Sequence, residues 1–186
     1  MALAAGAIGA LGTWYFLGGS KSSTTAAPPV PPSSGMVSDA PPNVAHLPPA
    51  EAAVLLGNWH YDRARWFQAI EQYESALRLG KDNADVRTDL GNCFRFIKQP
   101  QKALEQYEIS QRMQPQHENS LFNQATLYGL ELNEISRAKE LLTEYLRRFP
   151  SSSGVPRARQ LLAEFTAKEQ AEAAQLQQAL QPLIEK

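Results

Sequence analysis

The sequence predicts an all-α fold, a solenoid in which three helix hairpins stack in chain order and one further helix covers the last hairpin. Apolar side chains downstream of residue 49 recur three and four residues apart, as they do along one face of a helix. Several residues of that region also recur at an interval of 34, which is typical of stacked repeats. The segment before it has a different composition, because only Lys21 and Asp39 are charged there and eight of the thirteen prolines lie between residues 28 and 49.

Residues 1–19 are predicted to form a transmembrane anchor helix. No residue from 2 to 19 is charged, and eighteen residues of helix rise about 27 Å, close to the thickness of the hydrocarbon core. Trp14 and Tyr15 near one end are typical of the membrane interface. Small residues four apart would let a second copy of the helix approach, which leaves homo-oligomerisation open. A cleaved signal peptide and an unstructured start are the alternatives, although no lysine or arginine precedes the apolar stretch.

Residues 20–49 are predicted to be a disordered linker rich in proline, serine and alanine. Large apolar side chains are scarce in it, so the segment cannot bury enough surface to offset the entropy of ordering. Its paired prolines favour an extended polyproline II conformation that could reach about 90 Å. We interpret the linker as a spacer, with a proline-rich ligand for another domain as the alternative.

Three repeats are predicted, over about residues 50–83, 84–117 and 118–152. The first two units match at several positions 34 residues apart, which include Leu56 with Leu90, Gly57 with Gly91, Asn58 with Asn92, Ala69 with Ala103, and Tyr73 with Tyr107. The third unit keeps Ala138, which follows Ala103 by 35 because one residue is inserted in its turn. Each unit divides into two helices, predicted at about 50–63 and 66–79, 84–97 and 100–113, and 118–131 and 134–148.

Residues 155–186 are predicted to be a capping helix followed by a tail. Five apolar residues at helical spacing would cover the exposed face of the last repeat, as the end of an open array requires: Val155, Ala158, Leu161, Leu162 and Phe165. Beyond Phe165 the leucines are too few to predict a coiled coil, and Pro182 interrupts them. A partner-binding helix is the alternative interpretation of this second part.

The pattern resembles the tetratricopeptide repeat (TPR) family across residues 50–150. The residues that would form the repeat core carry the resemblance: Leu56, Gly57, Ala69, Tyr73, Leu90, Gly91, Ala103, Tyr107 and Ala138. The resemblance implies a right-handed superhelix whose concave face, built mainly by the first helix of each pair, binds a protein or peptide. The order of anchor, linker and short repeat array is similar to that of membrane-anchored bacterial TPR proteins of the cell envelope.

The family register places eight residues on the partner-binding concave face: Asn58, Tyr61, Thr88, Asn92, Arg95, Phe96, Phe122 and Thr126. The two asparagines share a register position and could hydrogen-bond a peptide backbone, although their recurrence also follows from shared repeat ancestry. The three aromatic residues could anchor apolar ligand side chains or belong to the core. TPR domains that clamp acidic chaperone tails use lysines, an arginine and asparagines on this face. Beside Asn58, the remaining clamp positions hold Val54, Asp89, Asn119 and Asn123, so the resemblance does not extend to that clamp.

The sequence predicts no catalytic, cofactor or metal site, and hence no enzyme. His46, His60 and His117 form neither an H-x-x-x-H nor an H-E-x-x-H pair, and no glycine-rich phosphate loop occurs. Cys93 is the single cysteine, so it allows no intrachain disulfide. A net charge of −1 does not fit a nucleic-acid-binding chain.

These observations together indicate a membrane-tethered adaptor or scaffold that binds a protein or peptide partner. A self-associating structural membrane module and a secreted soluble TPR binder, released by signal-peptide cleavage, are the alternatives. The similarity to envelope proteins favours an extracytoplasmic, periplasmic repeat domain. Lys21 after the span would instead place the repeats in the cytoplasm by the positive-inside rule, so the side of the membrane stays open.

Overall fold

A computed structural model describes residues 40–184 of the chain, with side chains up to residue 181. The predicted anchor and most of the linker lie outside these residues. Seven α-helices and no strand occur within them. The helices are α1 (Pro49–Tyr61), α2 (Trp66–Arg78), α3 (Ala84–Phe96), α4 (Pro100–Met113), α5 (Glu118–Leu130), α6 (Ile135–Arg148) and α7 (Val155–Ile184). The all-helical prediction is therefore confirmed for the described part of the chain.

The helix ends follow from local sequence. Pro49 and Pro100 stand at the first position of α1 and α4, where a missing N–H costs nothing. The Asn83 side chain caps α3 by accepting a hydrogen bond from the Val86 N–H at 2.9 Å. Each hairpin turn contains one residue with positive φ, at positions 64, 98 and 133, which keeps the turns short.

A glycine on the first helix lets a tyrosine of the second helix fill each of the first two hairpins. A Cβ atom on Gly57 would lie 2.7 Å from Tyr73 Cε1, and one on Gly91 would lie 2.6 Å from Tyr107 Cε1. Both distances are shorter than carbon atoms tolerate. The third hairpin has Ala125 and Leu142 at the two corresponding positions, and both are fully buried. The two residues of a hairpin core therefore differ together: where glycine is replaced by alanine, tyrosine is replaced by the smaller leucine.

Gly91→Ala is expected to lower the free energy of unfolding by about 1–3 kcal/mol, because the added methyl group overlaps the Tyr107 ring. The same substitution in a Tyr107→Leu background is expected to be less harmful, because that pair reproduces the third hairpin. Urea denaturation of the two single variants and the double variant measures the coupling. Simple additivity of the two losses would contradict the interpretation.

The buried apolar residues form two clusters. The first joins the hairpins α1–α2 and α3–α4 and includes Leu127 of α5. The second joins the hairpin α5–α6 to α7. Eight of the nine predicted repeat-core residues are buried, and the ninth, Leu56, is half-buried at the open end of the array. The first helices of successive hairpins also approach each other, because α3 contacts α5 directly.

Helix α7 has two parts. Its first part packs on α6 through Ala158, Leu161 and Phe165, and the Phe165 ring lies where a Cβ on Gly129 would meet it at 2.2 Å. From residue 170 to 181 every side chain is exposed, Leu176 and Leu180 included. The helix continues through Pro182, where the sequence predicted an interruption. No helix within residues 40–184 has both the length and the apolar character needed to cross a membrane.

Candidate functional site

The face shared by α1, α3 and α5 is the candidate functional site, and its predicted residues differ widely in exposure. Asn58 is exposed, while Tyr61 and Phe96 are half-buried. Five of the eight predicted residues are buried: Thr88, Asn92, Arg95, Phe122 and Thr126. As the structure stands, these five contact neighbouring helices, and their side chains are not open to a partner. Their assignment to the partner-binding face stays a prediction.

The recurrent asparagines serve the hairpin core. The Tyr73 hydroxyl donates to Asn58 Oδ1 at 2.8 Å, and the Tyr107 hydroxyl donates to Asn92 Oδ1 at the same distance. An unpaired hydroxyl buried at this depth would cost about 1–3 kcal/mol, so each asparagine satisfies a need that its tyrosine creates. The third hairpin lacks this tyrosine and has Thr126 in the asparagine position. The recurrence of asparagine therefore has a structural reason that requires no ligand.

Polar side chains of α3 join the second hairpin to the third. Arg95 forms an ion pair with Glu131 and donates to Thr126 Oγ1 at 2.8 Å. Asn92 Oδ1 also accepts from Asn123 Nδ2 at 2.8 Å. These contacts explain the burial of Asn92, Arg95 and Thr126, because successive first helices lie close enough for such side chains to bridge them.

Thr88 is also engaged within the array. Its hydroxyl donates to the Ala84 carbonyl at 2.8 Å and lies 3.0 Å from Ser110 Oγ. Both hydroxyls lie near His117 Nδ1, so this cluster joins α3 and α4 to the start of α5. The cluster is buried and its members bond to one another.

Aromatic rings meet where the first two hairpins adjoin. Phe96 stacks on Trp66 with 3.9 Å between ring centroids, and Tyr61 packs edge-on against both. Phe122 lies 5.2 Å from the Tyr145 ring inside the third hairpin and is a core residue. Tyr61 and Phe96 thus combine a packing role with partial exposure to the shared face.

Three aspartates occupy the open part of the shared face, and the sequence analysis did not assign them a binding role. Asp62 and Asp85 are exposed and Asp89 is half-buried. Burial, followed by the negative charges of Asp85 and Asp62, raises the pKa of Asp89 to about 7. His117 Nε2 lies 3.1 Å from Asp85 Oδ1, whereas Asp89 has no hydrogen bond or ion pair within residues 40–184. The spacing of Asp85 and Asp89, four residues apart on one helix, was the available sequence signal.

Asp89 is expected to make the stability of the fold depend on pH. Its folded pKa, about 7, lies above the ordinary 3.8, so the folded protein retains a proton that the unfolded chain releases. This contribution to stability is complete below pH 3.8 and is lost as the pH rises through about 7. Asp89→Asn should therefore stabilise the protein more at pH 8 than at pH 4. Urea denaturation at both pH values is the measurement, and an equal effect at both would contradict it.

No group of histidine, cysteine, aspartate and glutamate residues within the described part of the chain is arranged to hold a metal ion. Cys93 is a buried free thiol, and burial raises its pKa well above the usual range. A thiol of that kind is a poor nucleophile. The exposed part of the shared face therefore offers carboxylates, an amide and aromatic edges, which suit binding.

No family model matches the sequence, and no curated protein matches it. Solved structures do match. The Hsp90 co-chaperone Cns1 from Saccharomyces cerevisiae superposes with a TM-score of 0.64 and 20% identity over 73% of this chain and 44% of that chain. The TPR2B domain of yeast Sti1, in complex with an Hsp70 peptide, gives 0.60 and 16% identity over 64% of this chain and 97% of its own. The chain has the TPR fold.

A third TPR structure contains a peptide whose sequence is informative. The second TPR domain of human RPAP3, in complex with the HSP70 peptide SGPTIEEVD, matches with a TM-score of 0.56 and 16% identity over 63% of this chain and 94% of that chain. At these identities the similarity establishes the fold alone. It confirms the stacked TPR-like hairpins and does not identify the ligand of this chain.

Proposed function

We propose that the chain is a membrane-tethered adaptor whose TPR-fold domain binds a segment of another protein along the face shared by α1, α3 and α5. The observation that carries the proposal is the similarity of residues in the described range to TPR domains solved with peptides, those of yeast Sti1 and human RPAP3. A surface used in this way needs side chains that are partly exposed and held by packing. Asn58, Tyr61 and Phe96 meet both conditions.

The N-terminal part of the sequence supports the tethered form of the proposal. Residues 1–19 would anchor the chain and residues 20–49 would space the repeats from the membrane. A tether confines the binding face near the bilayer and raises its effective concentration toward any partner held there. We place the repeat domain on the extracytoplasmic side, in the periplasm of a bacterial cell envelope.

Photocrosslinking in cells tests the binding face. A photoreactive amino acid in place of Asn58 is expected to yield a specific adduct with a partner protein. The same amino acid in place of Phe67, which is 70% exposed on α2, is the matched control and is expected to yield none. Equal labelling from both positions, or labelling from position 67 alone, would overturn the assignment of the face.

Membrane fractionation tests the tether. The full chain is expected in the membrane fraction, and a chain lacking residues 1–19 in the soluble fraction. Mass spectrometry of the purified N-terminus separates an anchor from a cleaved signal peptide, because a retained residue 2 excludes cleavage. Protease added to spheroplasts should digest the repeats if they lie in the periplasm, and protection would place them in the cytoplasm.

Self-association is a second candidate function, favoured by the exposed leucines of α7. Leu176 and Leu180 are 62% and 45% exposed on a helical segment that packs on nothing else in the described structure. Light scattering of the full chain in detergent, compared with a Leu176→Gln and Leu180→Gln double variant, measures their contribution. A dimer that the double variant converts to a monomer would favour this function.

A further inference from the structure

The charge on the shared face indicates what kind of segment it takes, and this inference rests on the proposed function. Asp85 and Asp89 lie one turn apart on α3, and Asp62 directly follows α1, where its negative charge contributes with that of Asp85 to the raised pKa of Asp89. All three side chains are carboxylates, so none of them neutralises another. Three cations of neighbouring elements form ion pairs of their own, Arg95 with Glu131, Arg87 with Asp82 and Lys81 with Glu51. The open part of the face is therefore acidic.

A second observation at the same place concerns buried groups that lack partners. Asn92 is fully buried, and its Nδ2 has no hydrogen-bond partner within the described residues. The Tyr61 hydroxyl is also buried, and its proton has no acceptor within the described residues. Burial, followed by the negative charge of Asp89, raises the pKa of Tyr61, while the adjacent Asn92 amide lowers it, so the hydroxyl lies beside these groups. Unsatisfied donors beside an unpaired carboxylate are costly to fold and are typical of binding sites.

We propose that the face binds a basic peptide segment, with an arginine or lysine side chain placed against Asp89 between Asp62 and Asp85. The cation would supply the counter-charge that the folded chain lacks around Asp89. A carbonyl oxygen of the segment would accept from the hydroxyl of Tyr61, whose side chain is half-buried at this face. The acidic peptide SGPTIEEVD of the RPAP3 complex has the opposite charge, and three aspartates of this face would repel it.

The pH dependence of binding follows from the same geometry. The groups that face Asp89 are Tyr61 of α1, Asp62 after it, Tyr73 of α2, and Asp85 and Cys93 of α3. His117 lies against Asp85 at the start of α5. A cation binds the ionised form of Asp89 more tightly than the protonated form. Affinity for a basic peptide should therefore increase as the pH rises from 6 to 8.

Fluorescence anisotropy with the full chain in a non-ionic detergent tests the proposal. Three labelled, C-terminally amidated peptides serve as probes: SGPTIRRVR, SGPTIQQVQ and SGPTIEEVD. The basic peptide is expected to bind at least tenfold more tightly than the acidic one at pH 8, and to lose about fivefold in affinity at pH 6. Asp89→Asn should remove most of this preference and its pH dependence. Glu71→Gln, the same charge change at an exposed position of α2, is the control and should leave both unchanged.

Any one of three results would overturn the inference. These are equal binding of the three peptides, no detectable binding of the basic peptide, and an Asp89→Asn variant that binds like the native chain. The adduct formed through position 58 separates this failure from that of the proposed function. A crosslinked partner segment with clustered arginine or lysine supports the inference. A specific adduct on a segment without cations would overturn the basic-partner inference and still support the adaptor.

Discussion

Phe165→Ala is expected to lower the free energy of unfolding by about 3–5 kcal/mol and to release α7 from the third hairpin. The Phe165 side chain is 4% exposed, and its ring fills the space left by the missing side chain of Gly129. Removal of the ring leaves a cavity against α5 and α6 that a helix backbone cannot close. Urea denaturation followed by circular dichroism measures the loss, and hydrogen exchange of α6 reports the release of α7.

Leu176→Ala is the matched control for this prediction. Leu176 lies on the same helix but is 62% exposed, so its truncation should change stability by less than about 0.5 kcal/mol. Similar losses for the two variants would mean that the second half of α7 packs on the array in solution. A negligible loss for Phe165→Ala would mean that α7 does not cap the third hairpin.

Glu131→Ala is expected to cost about 3–5 kcal/mol, because it removes the carboxylate that forms an ion pair with the buried Arg95 guanidinium. Arg95 is 3% exposed and Glu131 16% exposed at the side chain, so water cannot replace the lost carboxylate. Thermal and urea denaturation give the loss. The exposed pair of Glu74 and Arg78 provides the control, since Glu74→Ala should cost less than about 1 kcal/mol.

A double substitution makes the prediction specific to the charge. Arg95→Met together with Glu131→Ala removes both charges and keeps an apolar side chain in the buried space. The double variant should recover much of the stability that Glu131→Ala loses, because no uncompensated charge remains. A double variant less stable than Glu131→Ala would show that Arg95 contributes through its contact with Thr126 more than through the ion pair.

The hairpins could be predicted from the sequence because their causes are local. The 34-residue interval places Gly57 and Tyr73 in one hairpin and their counterparts in the next, and the observed helix ends lie within two residues of most predicted ones. The capping residues are local causes too, because each one acts on backbone groups only three or four positions away. Neither feature depends on how the hairpins are arranged relative to one another.

The exposure of the shared face could not be predicted, because it depends on how closely α3 and α5 approach. Family register assigns Asn92 and Arg95 to that face, but it does not reveal that Asn123 and Glu131 reach back to them. In the sequence, Asp89 is only a residue that does not fit a carboxylate clamp. Its raised pKa depends on burial and on the charges of two neighbouring aspartates, which act together only in the folded chain.

The link between a glycine, an asparagine and a tyrosine in the first two hairpins constrains how such an array can diverge after duplication. Each of the three residues is tolerated because of another, so a single exchange meets a steric clash or an orphaned hydroxyl. Two sets of residues are compatible at these positions: glycine, asparagine and tyrosine in the first two hairpins, and Ala125, Thr126 and Leu142 in the third. A duplicated hairpin would be expected to exchange one set for the other as a whole. Chimaeric arrays assembled from whole sets should keep their stability, whereas mosaics that mix them should be less stable.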